Sequence, residues 1–269
     1  MSPPTTYRSR STRLVAGLAV IAAAILGASV LIILWALGTA SADMDRAQKA
    51  GQTQLVRAIL KSYQDSVASE VADYVSWSEL YDYTRAPRDR AFENDSLGPY
   101  LKQTFGTDDV FIISRTGQVT YAYRATKGVG ADVLAQSPAM QKLARNAFAA
   151  EDSGQRHMMS GMVSLDGVPA VVAASTILPP SVKIPSQFAL IEAQELHAAD
   201  ITAIGKDYGL SGLKIVPANG AGIVLMNPEK QPSGFSITWI STASGRQLFH
   251  QVLPVILLIG IIAAVGFAG

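Results

Sequence analysis

The chain has no cysteine, only three histidines, and just 16% charged residues with no basic run among them. The first absence excludes disulfide scaffolds, thiolate metal sites and thiol nucleophiles. His157, His197 and His250 stand alone, with no second ligand at metal-binding spacing, so no metal site is expected. Without clustered Lys and Arg there is nothing to neutralise a phosphate backbone, which argues against nucleic acid as a partner. Also missing are a G-x-S-x-G element, a phosphate-binding glycine loop and an H-E-x-x-H pattern, and the acidic pair Asp108-Asp109 would point to opposite faces of a strand. This region is expected to catalyse nothing and to need no cofactor.

What is present is apolar: 49% hydrophobic residues and a mean hydropathy of +0.23 in 269 residues, too much for an ordinary soluble protein. The excess lies in two uncharged blocks, Leu14 to Leu37 (24 residues, 13 of them Leu, Ile or Val) and Val252 to Ala268 (17 residues). As a helix the first block is about 36 Å long, enough to cross a hydrocarbon core of about 30 Å. Its aliphatic residues favour insertion by roughly 4 to 8 kcal/mol. Arg8, Arg10 and Arg13 precede it, and Asp43 and Asp45 are the first charges after it. By the positive-inside rule residues 1–13 form a cytoplasmic tail, 14–37 a transmembrane helix, and 43–246 an extracytoplasmic domain, with 19 Lys/Arg against 21 Asp/Glu. Ala40-Ser41-Ala42 also suits a cleaved signal peptide, although a signal core of about 7 to 15 residues is shorter than this block. The second block, 252–268, spans only about 26 Å with Pro254 in its first turn and no cation after it. It reads as the second span of a longer protein, cut there.

Between the blocks, Val56, Leu60, Tyr63, Val67, Val71, Tyr74, Trp77 and Tyr81 recur every three or four residues and predict one helix over Ala47 to Tyr81. Its stripe needs cover from its own sheet, from the same helix of a second subunit, or from both. Asp108 to Ile113 and Val119 to Tyr123 predict a hairpin around Ser114-Arg115-Thr116-Gly117. Ser137-Pro138 should cap a helix running to about Ala150. A second hairpin is expected over Met158–Leu165 and Val168–Thr176, turning at Asp166-Gly167, with Val171 to Ala174 central. A strand at Phe188–Glu192, a helix at His197–Tyr208, and short strands near Leu213–Pro217, Ile223–Leu225 and Phe235–Ile240 complete an antiparallel sheet. The fold class is α+β.

Asp73-Tyr74-Val75-Ser76-Trp77-Ser78-Glu79-Leu80-Tyr81-Asp82-Tyr83, then Asn94 and Leu97, the Asp109 to Tyr123 hairpin, and Asp166-Gly167-Val168-Pro169-Ala170 before an apolar strand together resemble the fourth CHASE family of extracytoplasmic sensors. The likeness runs from about Arg46 to Leu210. It differs in the two residues between Asn94 and Leu97 and in a first hairpin turn without its usual aspartates. The resemblance implies a PAS/Cache-like antiparallel sheet behind a long N-terminal helix. It also implies a place between two spans of a bacterial inner-membrane protein, ahead of a cytoplasmic GGDEF, EAL or histidine-kinase output. The alternative is a stand-alone anchored binding module without its own output.

Candidate ligand-binding residues are Asp73, Trp77, Glu79, Tyr81, Asn94, Tyr121 and Tyr123. Asp73, Trp77 and Tyr81, four apart, would stack along one helix face as a polar and aromatic wall for a small molecule, or the aromatics would only anchor the helix to the sheet. Arg115 and Arg124 are either carboxylate-binding or solvated surface residues. Met158, Met159 and Met162 read as core filling. Ala23 with Gly27, and Gly260 with Ala264, place small residues four apart in each span, suited to close packing in a homodimer.

Overall fold

A computed structural model describes residues 7–126, 128–129, 137–154, 158–220, 222–241 and 244–268; His157 lies outside them. The chain divides into two compact units, one of Thr53–Ile240 and one of Met1–Gln52 with Ser241–Gly269.

Helix α1 runs Tyr7–Tyr74, so the apolar block and the first amphipathic helix are one 68-residue element with residues in both units. Within the larger unit the expected stripe is real up to Tyr74: Val56, Val67, Val71 and Tyr74 are buried, Leu60 and Tyr63 pack against them, and Ile59, outside the expected stripe, is buried as well. The helix stops seven residues earlier than its spacing predicts. Trp77 is extended (φ −74°, ψ 133°), the Ser76 hydroxyl donates to the Asp73 carbonyl at 2.6 Å, and the Val75 carbonyl accepts from Leu178 N at 2.9 Å.

Three short helices then cover the sheet where the sequence pattern had shown only a change of character: α2 (Ser78–Arg85), α3 (Arg90–Ser96) and α4 (Gly98–Phe105). Asp89 caps α3 by accepting from the backbone of Ala91 and Phe92, and α4 closes on Gly106 at φ 85°, a left-handed position natural to glycine.

The central sheet has six antiparallel strands in the order β3-β2-β1-β6-β5-β4, namely β1 (Asp109–Ser114), β2 (Val119–Arg124), β3 (Gly128–Val129), β4 (Met159–Leu165), β5 (Val168–Thr176) and β6 (Phe188–Glu195). Both predicted hairpins are present. The capped helix is α5 (Pro138–Asp152), where the Ser137 hydroxyl accepts from Met140 N. Alternation along the strands divides the core. Val110, Ile112, Tyr121, Met162, Val171, Ala173 and Leu190 face α1, while Phe111, Ile113, Val172, Ala174 and Ile191 face Met140, Leu143 and Phe148 of α5. Each large aliphatic enclosed this way contributes about 1.5–3 kcal/mol. Met162 is core, as expected.

After α6 (Ala198–Asp207), the late strands β7 (Lys214–Pro217), β8 (Ile223–Met226) and β9 (Pro232–Thr238) do not extend the central sheet. They form a second antiparallel sheet in the order β7-β9-β8. They pair because β8 and β9 make a hairpin, with the Asn227 side chain accepting from Glu229 N and Gln231 N in its turn.

In the smaller unit the other long helix is α7 (Ser244–Ala268), 25 residues rather than the 17 of the uncharged block. Pro254 therefore sits inside the helix, where it has no N–H to give the carbonyl of His250, and not in the first turn. Both helices are long and apolar enough to cross a membrane, and their most apolar stretches are exposed. Gly245 donates to Asp45 Oδ1 at 2.7 Å and lies so close to α1 that a Cβ would stand 2.2 Å from the Ser41 carbonyl oxygen. Gly260 faces Val30, whereas Gly27 has no atom within 4 Å of where its Cβ would be.

Candidate functional site

The break after α1 rearranges the proposed ligand wall. Asp73 ends one helix, Trp77 lies in the extended link, and Tyr81 belongs to α2, so the three do not share a continuous helix face. Asp73, Glu79 and Asn94 are exposed, and Tyr81 is half-buried with its hydroxyl 3.3 Å from an Arg85 nitrogen. Tyr121 and Tyr123 are buried beneath the start of α4, and the Tyr121 hydroxyl accepts from the N–H of Gly98 at 2.9 Å. The structure thus separates Asp73, Glu79 and Asn94 from Tyr121 and Tyr123. It leaves Trp77 where an aromatic surface does form.

That surface comprises Tyr74 at the end of α1 and Trp77 in the link after it, with Tyr100 and Phe105 of α4. The Tyr74 and Trp77 rings stack at 4.3 Å, and Phe105 meets both Tyr74 and Tyr100 edge-on at 6.4 Å. Tyr74 is enclosed, but Trp77, Tyr100 and Phe105 are 38%, 37% and 49% exposed, an aromatic patch open to solvent. Tyr100 and Phe105 escaped the sequence reading although Pro99 in the first turn and Gly106 at the end are start and stop signals for α4.

Two carboxyl groups act on Tyr74. Glu192 lies in the middle of β6, opposite Val110 and Ala173, on the sheet face covered by α1, and is fully buried. Apart from the Glu70 carboxyl, to which it is hydrogen-bonded when protonated, no described residue offers its oxygens a partner, and the Tyr74 hydroxyl has none. Glu70, half-buried one turn before Tyr74, accepts from the Thr107 hydroxyl at 2.9 Å. Burial, then the neighbouring Glu70 carboxyl, holds Glu192 protonated far above the usual carboxylate range. Burial also raises Glu70, against the lowering effect of its hydrogen bonds with Thr107 and Glu192. The Tyr74 phenol is raised by burial and by Tyr100, Glu192 and Glu70. A sequence signal for this pair existed: a lone acid inside the apolar run Phe188–Ala193, and a second acid on the apolar side of α1.

Elsewhere, polar groups are tied into the scaffold. Arg124 is buried, contrary to a solvated surface role, and meets Asp109 at 2.9 Å, Asp166 at 2.8 Å and Glu195 at 3.2 Å. Arg115 lies over the Phe148 ring and pairs with Asp152 and Glu151. Both arginines are engaged by carboxylates of the chain itself. Glu93, beside the exposed Asn94, is itself buried and is held by Arg88 and by the Tyr83 hydroxyl at 2.8 Å.

A family model described as the CHASE4 domain matches residues 59–216, more than half of the chain, beginning inside α1 and ending in β7. No curated protein matches it.

Proposed function

The chain belongs to the CHASE4 domain family, and from that premise we propose that it is the membrane-bound input region of a bacterial signalling protein. The matched region folds as an α+β unit, the sensor, which receives a small molecule or an envelope condition outside the cytoplasm. In this reading its sheet and long helix are of the PAS/Cache kind, and Leu14–Leu37 and α7 cross the inner membrane. The signal passes to a cytoplasmic output that turns over cyclic di-GMP (GGDEF/EAL) or acts as a histidine kinase. The single observation that carries the reading is that the matched, folded unit lies in sequence between two exposed apolar helical stretches.

The sensor acts as a homodimer. The apolar stripe of α1 is spent on its own sheet, so the spans supply the contact, and Gly27 offers a position of close approach. A ligand that prefers one packing of α1 shifts an existing equilibrium between two states, and a helix displacement of about 1–2 Å is enough to pass on.

The test joins residues 1–269 to a heterologous diguanylate cyclase domain and, in a second fusion, places an alkaline phosphatase active only outside the cytoplasm after Ser153. Active phosphatase, together with a cyclase output that changes with the composition of the outer medium, is the expected result. Inactive phosphatase overturns the topology. Active phosphatase with a cyclase that never responds to any outer condition favours a stand-alone anchored module.

A further inference from the structure

We propose that Glu70 and Glu192 form a proton-operated latch between α1 and the central sheet, so that protonation from the outer medium holds the helix down and deprotonation releases it. The proposal rests on the sensor reading above for its purpose, but its chemistry stands on the burial of Glu192 and the placement of Glu70 beside it.

The two carboxyl groups come from different elements, α1 and β6, and are within hydrogen-bonding reach of each other on the sheet face of Val110 and Ala173. Glu192 is fully buried, with Glu70 as the hydrogen-bonding group beside its carboxyl, in a strand whose neighbours at that level, Val110 and Ala173, are apolar. The polar and titratable groups around the pair are few. α1 brings Glu70 and Tyr74, α4 brings Tyr100, and the segment before β1 brings the Thr107 hydroxyl. Among the described residues, no lysine, arginine or histidine acts on either carboxyl. A buried carboxylate without a counter-ion is too costly to persist, so the group takes up a proton instead. That proton comes from external water through Glu70, the half-exposed member, and returns the same way. No cavity for a larger cation is needed.

The direction follows from linkage. Both groups bind protons more tightly folded than unfolded, so their stabilisation is complete below the ordinary carboxylate range and is lost as pH rises through their folded values. With both ionised, two like charges face each other under α1, and the relief available is for the helix to lift. Tyr74, next on the same helix and stacked on Trp77, reports the movement to the exposed aromatic patch.

The experiment uses the full chain in detergent. The infrared absorption of protonated carboxyl groups is followed from mildly acid to alkaline pH for the native protein, Glu192→Gln and Glu70→Gln. Measurements above the range in which Asp109 titrates, near 6, keep that residue from contributing. The native protein should show a protonated-carboxyl band at neutral pH that vanishes on alkalinisation, in step with a change in Trp77 fluorescence. Gln at 192 removes the band outright. Gln at 70, on the accessible partner and therefore the variant safer for folding, moves its loss to lower pH, because an amide can donate to Glu192. No such band in native protein at neutral pH, or a band unaffected by either substitution, overturns the latch. If the band behaves as expected while the cyclase fusion ignores outer pH, the latch stands and the sensor reading fails.

Discussion

The phenol of Tyr121 in β2 and the backbone N–H of Gly98 at the start of α4 are joined by a buried 2.9 Å hydrogen bond. Gly98 has no room for a side chain: a Cβ there would lie 2.1 Å from Cγ of Tyr123. Together the two tyrosines seat α4, and with it Tyr100 and Phe105, on the sheet.

This seating makes a prediction with a fixed order. Tyr121→Phe leaves one buried N–H without a partner, at a cost of about 1–3 kcal/mol. Gly98→Ala forces Tyr123 out of its place, which costs about as much as core overpacking, 1–3 kcal/mol or more. Denaturant unfolding of both variants should show lowered midpoints, and in Gly98→Ala the Tyr100–Phe105 patch should also lose its order, read as exchange broadening of their ring resonances. A Gly98→Ala protein as stable as native would contradict the packing described.

A second prediction concerns Arg124, whose guanidinium is the counter-ion of buried Asp109 and Glu195. Arg124→Met strands both acids, and removing one partner of a buried ionic cluster costs about 3–5 kcal/mol. Asp109 itself is pushed up to about 6, chiefly by burial, with Arg124 opposing and Glu195 and Asp108 adding to the rise. Its folded value exceeds the unfolded one, so the stability it contributes is present below about pH 4 and is lost as pH climbs towards 6. Asp109→Asn cannot ionise and should show a flatter stability profile across that interval than native protein. Parallel profiles would mean that Asp109 is not the group responsible.

What the sequence reveals depends on whether the deciding interaction is local. The two hairpins, the Ser137 cap and the α1 stripe follow from alternation, turn residues and capping, all of which act within a few residues. The end of α1 does not, because Leu80 of α2 is buried as well, so apolar spacing continues through a break held partly by Leu178, about a hundred residues away in sequence. The same limit explains the second sheet, since β7 to β9 have strand character but no local mark of which sheet they join. Glu70 and Glu192 were visible as misplaced acids. Only the register of β6 under α1 makes them a pair.

The final prediction separates Trp77 from Tyr81, which helical spacing had placed together. Trp77 is part of the open aromatic patch through its stack on Tyr74, whereas Tyr81 lies on α2 with its hydroxyl near Arg85 and its ring against the core. Trp77→Ala removes the stack on Tyr74 as well as exposed aromatic surface, so it should abolish or shift the response of the cyclase fusion and lower the unfolding midpoint only by the equivalent of about 0.5–1.5 kcal/mol for an aromatic pair plus its buried area. Tyr81→Ala should lower the midpoint with the response of the folded fraction intact. Because Tyr100 shares the patch through Phe105, Tyr100→Ala should reproduce the Trp77 phenotype, and the double variant should be no worse than either alone. A Tyr81→Ala protein that loses its response without losing stability, beside a fully responsive Trp77→Ala, would return the ligand site to α2 and away from the Tyr74–Trp77 stack.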